Sequence, residues 1–201
     1  MAKIKLTKNE LKAQRDALKR YQRYLPTLQL KKAQLQMELR QVEHRIAEKA
    51  AEEDALKDSL AAWIRLFAEE FAFTAHLGIE RLVRGTTNIA GVSVPTLQEI
   101  GFRRAPVDQI ATPPWIDDGL RVVEQILRLR LELVVLREQW QRLADELRVT
   151  SQRVNLFEKV KIPESKDAIR RVRIFLGDLQ TLGVARGKIS KRRGVEREVA
   201  Q

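Results

Sequence analysis

The sequence contains no cysteine, which excludes a disulfide framework and a thiolate metal site. It has only two histidines, His44 and His76, and no metal-binding spacing that would recruit them. Aromatic residues make up 5% of the chain, too few for the stacked-base surfaces of a single-strand binder. No apolar run approaches the roughly 18 residues that cross a bilayer. The opening "MAKIKLTKNELKAQRD" lacks the apolar core of a signal peptide. These absences predict a soluble, intracellular protein with neither a metal centre nor a membrane span.

What remains is charge and leucine. Charged residues account for 32% of the 201 positions, a profile of long helices. The net charge of +11 is uneven. Residues 1–32 hold ten Lys and Arg against Glu10 and Asp16, and residues 183–201 hold six against two acids. Residues 33–70 are net acidic, with five basic residues against nine acidic. Basic ends suit a nucleic acid, an anionic lipid surface or an acidic protein face, and charge alone does not choose.

Apolar periodicity divides the chain. Seven of the nine positions Leu11, Leu18, Leu25, Lys32, Leu39, Ile46, Glu53, Leu60 and Phe67 are apolar. The companion row Gln14, Tyr21, Leu28, Leu35, Val42, Lys49, Leu56 and Trp63 is apolar at six of eight. Such paired rows form a coiled-coil seam, so residues 1–77 read as one long helix, with a kink expected at Pro26. Residues 78–115 hold four of the six prolines. They include the β-branched "NIAGVSVPTLQEIGF", which predicts short strands or a small hairpin. Residues 116–182 return to heptads: Val122, Leu129, Leu136, Leu143, Thr150 and Phe157, with Ile126, Leu133, Trp140, Leu147 and Val154. That seam weakens at Lys161 and resumes at Ile162, Ile169, Val172, Leu176 and Leu179. Residues 183–201 read as a basic, Gly-punctuated tail, frayed in isolation. The predicted fold is all-α: a long antiparallel two-helix coiled coil with a small irregular or β-hairpin element between the helices. Both basic ends then lie together. Aligning the ends of the two heptad runs places Leu39 opposite Thr150.

Catalytic patterns are missing. "GVARGKIS" has three residues between its glycines where a phosphate loop has four, and Ile189 where Ser or Thr follows the Lys. Carboxylate pairs such as Glu52–Glu53 read as solvated helix faces. No cofactor and no active site are expected.

Three stretches carry a resemblance. The first is a K-x-x-x-T-x-x-E-L start: Lys3, Thr7, Glu10 and Leu11. The second is "NIAGVSVP", with Asn88, Gly91 and Pro95. The third is "RVNLFEKVKIP", with Arg153, Val154, Asn155, Glu158, Ile162 and Pro163. Their order and spacing resemble the D-subunit family of the V-type ATPase/ATP synthase, the central rotor shaft. Leu6 stands where that family often has proline, and Pro26 is unusual for its first helix. The resemblance implies an antiparallel coiled coil whose two ends insert into a hexameric catalytic head. Lys3, Lys5, Lys8, Arg186, Lys188, Lys191, Arg192 and Arg193 would be the head contacts. It further implies a small companion subunit on the shaft, a socket subunit of the membrane ring at the far end, and a cytoplasmic place at the membrane periphery. It gives the helix-breaking Pro163 a purpose, since a bent shaft presents different faces to different catalytic sites. The alternative class is a basic coiled-coil nucleic-acid-binding or scaffold protein.

Overall fold

The computed structural model describes residues 5–61, 64–68, 71–108 and 112–199. In chain order these form α1 (Lys8–Leu60), a 3₁₀ turn (Ile64–Ala68), α2 (Phe73–His76), the strands β1 (Leu77–Ile89) and β2 (Val92–Arg104), and α3 (Ile116–Asn155). A π-helical segment (Leu156–Lys161) and α4 (Ile162–Val199) follow. The protein is mostly helical, with one two-stranded antiparallel sheet among the described residues. The chain divides into two compact units: residues 1–30 with 150–201, and residues 31–149.

The heptad rows mark the buried stripe. Every row residue from Leu11 to Leu60 is buried or half-buried, the polar Gln14, Lys32, Lys49 and Glu53 included. In the second unit Leu35, Leu39 and Val42 of α1 pack with Leu143 of α3 and Val94 of β2. Around them lie Ile46, Ile89, Val92, Trp140 and Leu147. Polar contacts flank this core: Trp140 Nε1 donates to Glu43 Oε1 at 2.9 Å, and Lys31 Nζ lies 2.6 Å from Glu146 Oε1. These partners depart from the expected register. Leu39 shares its core with Leu143, a heptad before Thr150. The apolar rows repeat every seven residues, so sliding one helix by a heptad still matches leucine to leucine.

The first long helix is shorter than the periodicity predicts. It closes at Leu60, where the Ala61 N–H donates to the Asp58 carbonyl in a tighter turn. Beyond it Phe67, Phe71, Phe73 and Trp115 gather, with ring centroids 4.9–6.2 Å apart. Burying these rings against the start of α3 outweighs continuing an exposed helix. Ile116 and Leu120 complete this second core with Leu77. Trp63 lies outside the described residues.

The strands are longer than expected, 13 residues each. The ribbon is held along α3. Arg104 pairs with Glu124 at 2.6 Å, Phe102 lies under Arg128, and Gln139 Nε2 donates to the Pro95 carbonyl at 2.6 Å. Bulges between Ile79 and Arg81 and between Val83 and Arg84 shift its register. The fold therefore gives this hairpin a helical floor, which an isolated two-stranded ribbon lacks.

In the first unit Val154, Ala168, Ile169 and Val172 are buried, and the Tyr21 and Phe157 rings meet at 5.0 Å. α1 runs through Pro26 without interruption. The carbonyl of Gln22, which loses its donor there, belongs to an exposed residue and can turn to water. The tail expected to fray is helical to Val199. Gly183 and Gly187 weaken a helix by about 1 kcal/mol each relative to Ala but do not end it. All residues from 177 to 193 are exposed.

Candidate functional site

The motif residues fall into three places, each with a local physical cause. At the chain's start Thr7 caps α1: its Oγ1 accepts from the Glu10 N–H at 3.2 Å. Thr followed three residues later by Glu has the spacing of a capping box, of which only the Thr half is made, since the Thr7 N–H donates to the Lys5 carbonyl at 3.0 Å. The acidic Glu10 suits the positive end of the helix. Glu10 itself accepts from Gln14 Nε2 at 2.8 Å. Leu11 begins the half-buried stripe. The cap explains the Thr7–Glu10 spacing without a ligand.

The second place is the hairpin tip. Ala90 and Gly91 form a two-residue turn with φ of 51° and 79°. Both angles lie in the left-handed region, as a tight hairpin turn requires. Glycine occupies it freely; alanine does so at a cost of about 1–2 kcal/mol. Asn88 Oδ1 accepts from the Gly91 N–H at 2.9 Å and ties the turn. Ile89 and Val92 flank it as a cross-strand pair and join the core of Leu35, Leu39 and Leu143. Pro95 pairs with Thr86; in a two-stranded ribbon each strand is an edge, so its missing N–H is tolerated. The "NIAGVSVP" stretch is thus a turn that inserts its own apolar tip into the helical core.

The third place is the junction before Pro163. The Ile162 N–H donates to the Phe157 carbonyl, an i→i+5 bond of the π segment. In an α-helix the Pro163 ring would meet the carbonyl of Lys159. A wider turn relieves that conflict. It also inserts one residue into the pattern of burial. Before it the buried and half-buried positions include Leu143, Thr150, Val154 and Phe157; after it they include Ile162, Ser165, Ile169 and Val172. A regular heptad count would have reached Lys161, Glu164, Ala168 and Arg171, of which Glu164 and Arg171 are exposed, Lys161 is half-buried and only the small Ala168 is buried, beside Ile169. The π turn re-phases the seam so that Ile162 and Ile169 face inward. Arg153, Asn155, Glu158 and Pro163 are exposed. Leu156 and Val160 are exposed beside them, at 43% and 39%.

The basic residues expected to contact a partner are exposed where described. Lys5 and Lys8 flank the start of α1; Arg186, Lys188, Lys191, Arg192 and Arg193 lie on α4. Lys3 lies outside the described residues. His44 is on a solvated helix face, its Nε2 3.3 Å from Glu48.

Sequence reading missed a set of ion pairs in the second unit. Glu53, expected on a solvated face, is 8% exposed. Its Oε1 lies 3.0 Å from both Lys57 Nζ and Arg130 Nε. Those two cations, Lys57 first, hold its carboxyl below the usual glutamate value. Lys49 reaches Glu52 at 2.9 Å and Glu132 at 3.3 Å, and hydrogen bonding to Glu52 raises its pKa. A signal exists in the sequence: Lys49 and Glu53 occupy seam positions where a helix pair would otherwise carry leucine.

A family model describing the ATP synthase D-subunit matches residues 10–192. The chain is 46% identical to the V-type ATP synthase D-subunit of Borreliella burgdorferi, with 95% of each chain covered. It is 35% identical to that of Chlamydia pneumoniae, over 94% of this chain and 92% of the relative. With that of Chlamydia caviae the identity is 32%, over 98% and 96%.

Proposed function

The chain belongs to the ATP synthase D-subunit family, and from that premise we propose that it is the non-catalytic rotor shaft of a V-type ATPase/ATP synthase. In this reading it couples ATP hydrolysis or synthesis in the catalytic head to rotation of the ion-translocating ring. Its partners are other subunits of that complex: the catalytic and non-catalytic subunits of the head, a small companion subunit of the central stalk, and the socket subunit of the ring. No described helix is long and apolar enough to cross a membrane, so the reading attaches the chain to the membrane through the complex.

The observation that carries the proposal is the buried stripe on α1 from Leu11 to Leu60, with its counterparts on α3 and on the first half of α4 as far as Leu176. We read it as an antiparallel coiled coil, because a torque-bearing element needs stiffness and two interlocked helices resist twisting better than one. The exposed basic residues of α1 and α4 would sit within the head, where a contact of charges rather than fitted pockets lets the shaft turn. The exposed Arg153, Asn155 and Glu158, beside the π turn, would present an asymmetric face to the three catalytic sites in turn.

Co-purification tests the reading. A tagged chain expressed with the other subunits should bring down the head, and the chain alone should hydrolyse no ATP. Recovery of the chain free of head subunits, or bound to duplex DNA with a steep salt dependence, would reject it.

A further inference from the structure

We infer that a ladder of ion pairs, not the apolar seam, sets the register of α1 against α3. The apolar rows repeat every heptad and are satisfied by several alignments. The charges are not. In the structure Lys31 meets Glu146 at 2.6 Å, Lys49 meets Glu132 at 3.3 Å, and Glu53 meets Arg130 at 3.0 Å. All three join unlike charges.

Slide α3 by one heptad in one sense, and Lys31 faces Arg153, Lys49 faces Gln139, and Glu53 faces Arg137. One attractive pair is kept, one is lost and one becomes repulsive. Slide it the other way, and the three face Gln139, Gln125 and Val123, leaving the buried Glu53 with Lys57 of its own helix and no cation from α3. Lys49 and Glu53 keep Glu52 and Lys57 of their own helix in any alignment, but only the observed one gives all three residues an unlike charge on α3. Polar residues at seam positions are a recognised device for fixing register at some cost in stability, and Lys49 and Glu53 stand at such positions. Lys31 is half-buried with its partner, at 33% and 30% exposure, so its charge is not fully screened by water. If the chain is the shaft proposed above, this ladder would also keep one helix from slipping along the other under load. The register argument itself does not depend on that role.

Disulfide trapping in the full-length chain reads the register directly, since no native cysteine competes. Leu39→Cys is combined in turn with Leu143→Cys, the observed partner, with Thr150→Cys, one heptad later, and with Leu136→Cys, one heptad earlier. With native charges the first pair should bridge at least about tenfold more than either other pair. Lys31→Glu places a repulsive charge against Glu146 and an attractive one against Arg153. It should raise bridging between positions 39 and 150 at the expense of 39 and 143. Adding Glu146→Lys should restore the original preference. Replacing Lys49 and Glu53 together with leucine should bring the three yields to within a few-fold of one another. If all these variants keep the native preference undiminished, the apolar packing sets the register and the inference is wrong. Should the double leucine variant fold poorly, the Lys31→Glu loss and its rescue by Glu146→Lys decide alone; a loss without rescue also overturns it.

Discussion

Leu143 has none of its surface exposed and sits where α1, α3 and the hairpin tip converge. Truncating it to alanine should cost about 2–5 kcal/mol in denaturant unfolding, because a cavity opens that three elements cannot all close. The same change at Leu30, which is 60% exposed, should stay within about 0.5 kcal/mol. Glu53 gives the acid dependence a definite sign. Lys57 and Arg130 depress its folded-state pKa below the ordinary 4.5. Its contribution is therefore complete above that ordinary value and disappears as pH falls through the depressed one. Glu53→Gln should be less stable than the native chain near neutrality, and the difference should shrink as pH drops below about 4.5. A difference that stays constant from neutrality to about pH 3 would show that the carboxylate's charge contributes nothing.

Elements are legible in the sequence to unequal degrees. The stripes on α1 and α3 can be read residue by residue, since a seam with period seven writes itself into the order of leucines. The hairpin can be read from "NIAGVSVP", although its length cannot. The strands extend because Gln139, Glu124 and Arg128 on α3 hold them, contacts remote in sequence. Register is unreadable from leucines because heptads are degenerate, and the charges that resolve it look like ordinary surface residues. The π turn is visible only as a seam that lapses at Lys161 and returns one residue late, at Ile162. Two causes for that turn, the proline and the extra residue, can be separated. Deleting the exposed Lys159 should remove the extra residue and push Pro163 into a regular α-helix, costing about 3 kcal/mol. Deleting Lys159 and replacing Pro163 with alanine should recover most of it, with helicity by circular dichroism at or above that of the native chain. If the double change is as damaging as the deletion, the segment's added residue is required for something other than phasing the seam.

For the whole molecule, the family follows from the match over residues 10–192. The motifs that carry the resemblance prove to be mostly devices for building the chain: a helix cap at Thr7 and Glu10, a tied turn at Asn88 and Gly91, and a re-phasing junction before Pro163. Arg153, Asn155 and Glu158, and Lys5, Lys8, Arg186, Lys188 and Lys191, are exposed around them, and in the function proposed above these contact the head. Reversible crosslinking in the assembled complex tests the central claim. If the chain is the proposed shaft, a bridge between cysteines at positions 39 and 143 joins two parts of one rotor. A bridge from a cysteine at Lys188 to a catalytic subunit ties the rotor to the head. The account predicts that ATP hydrolysis continues with the first bridge closed, stops with the second, and resumes when the second is reduced. Hydrolysis that persists with the chain locked to the head would contradict it.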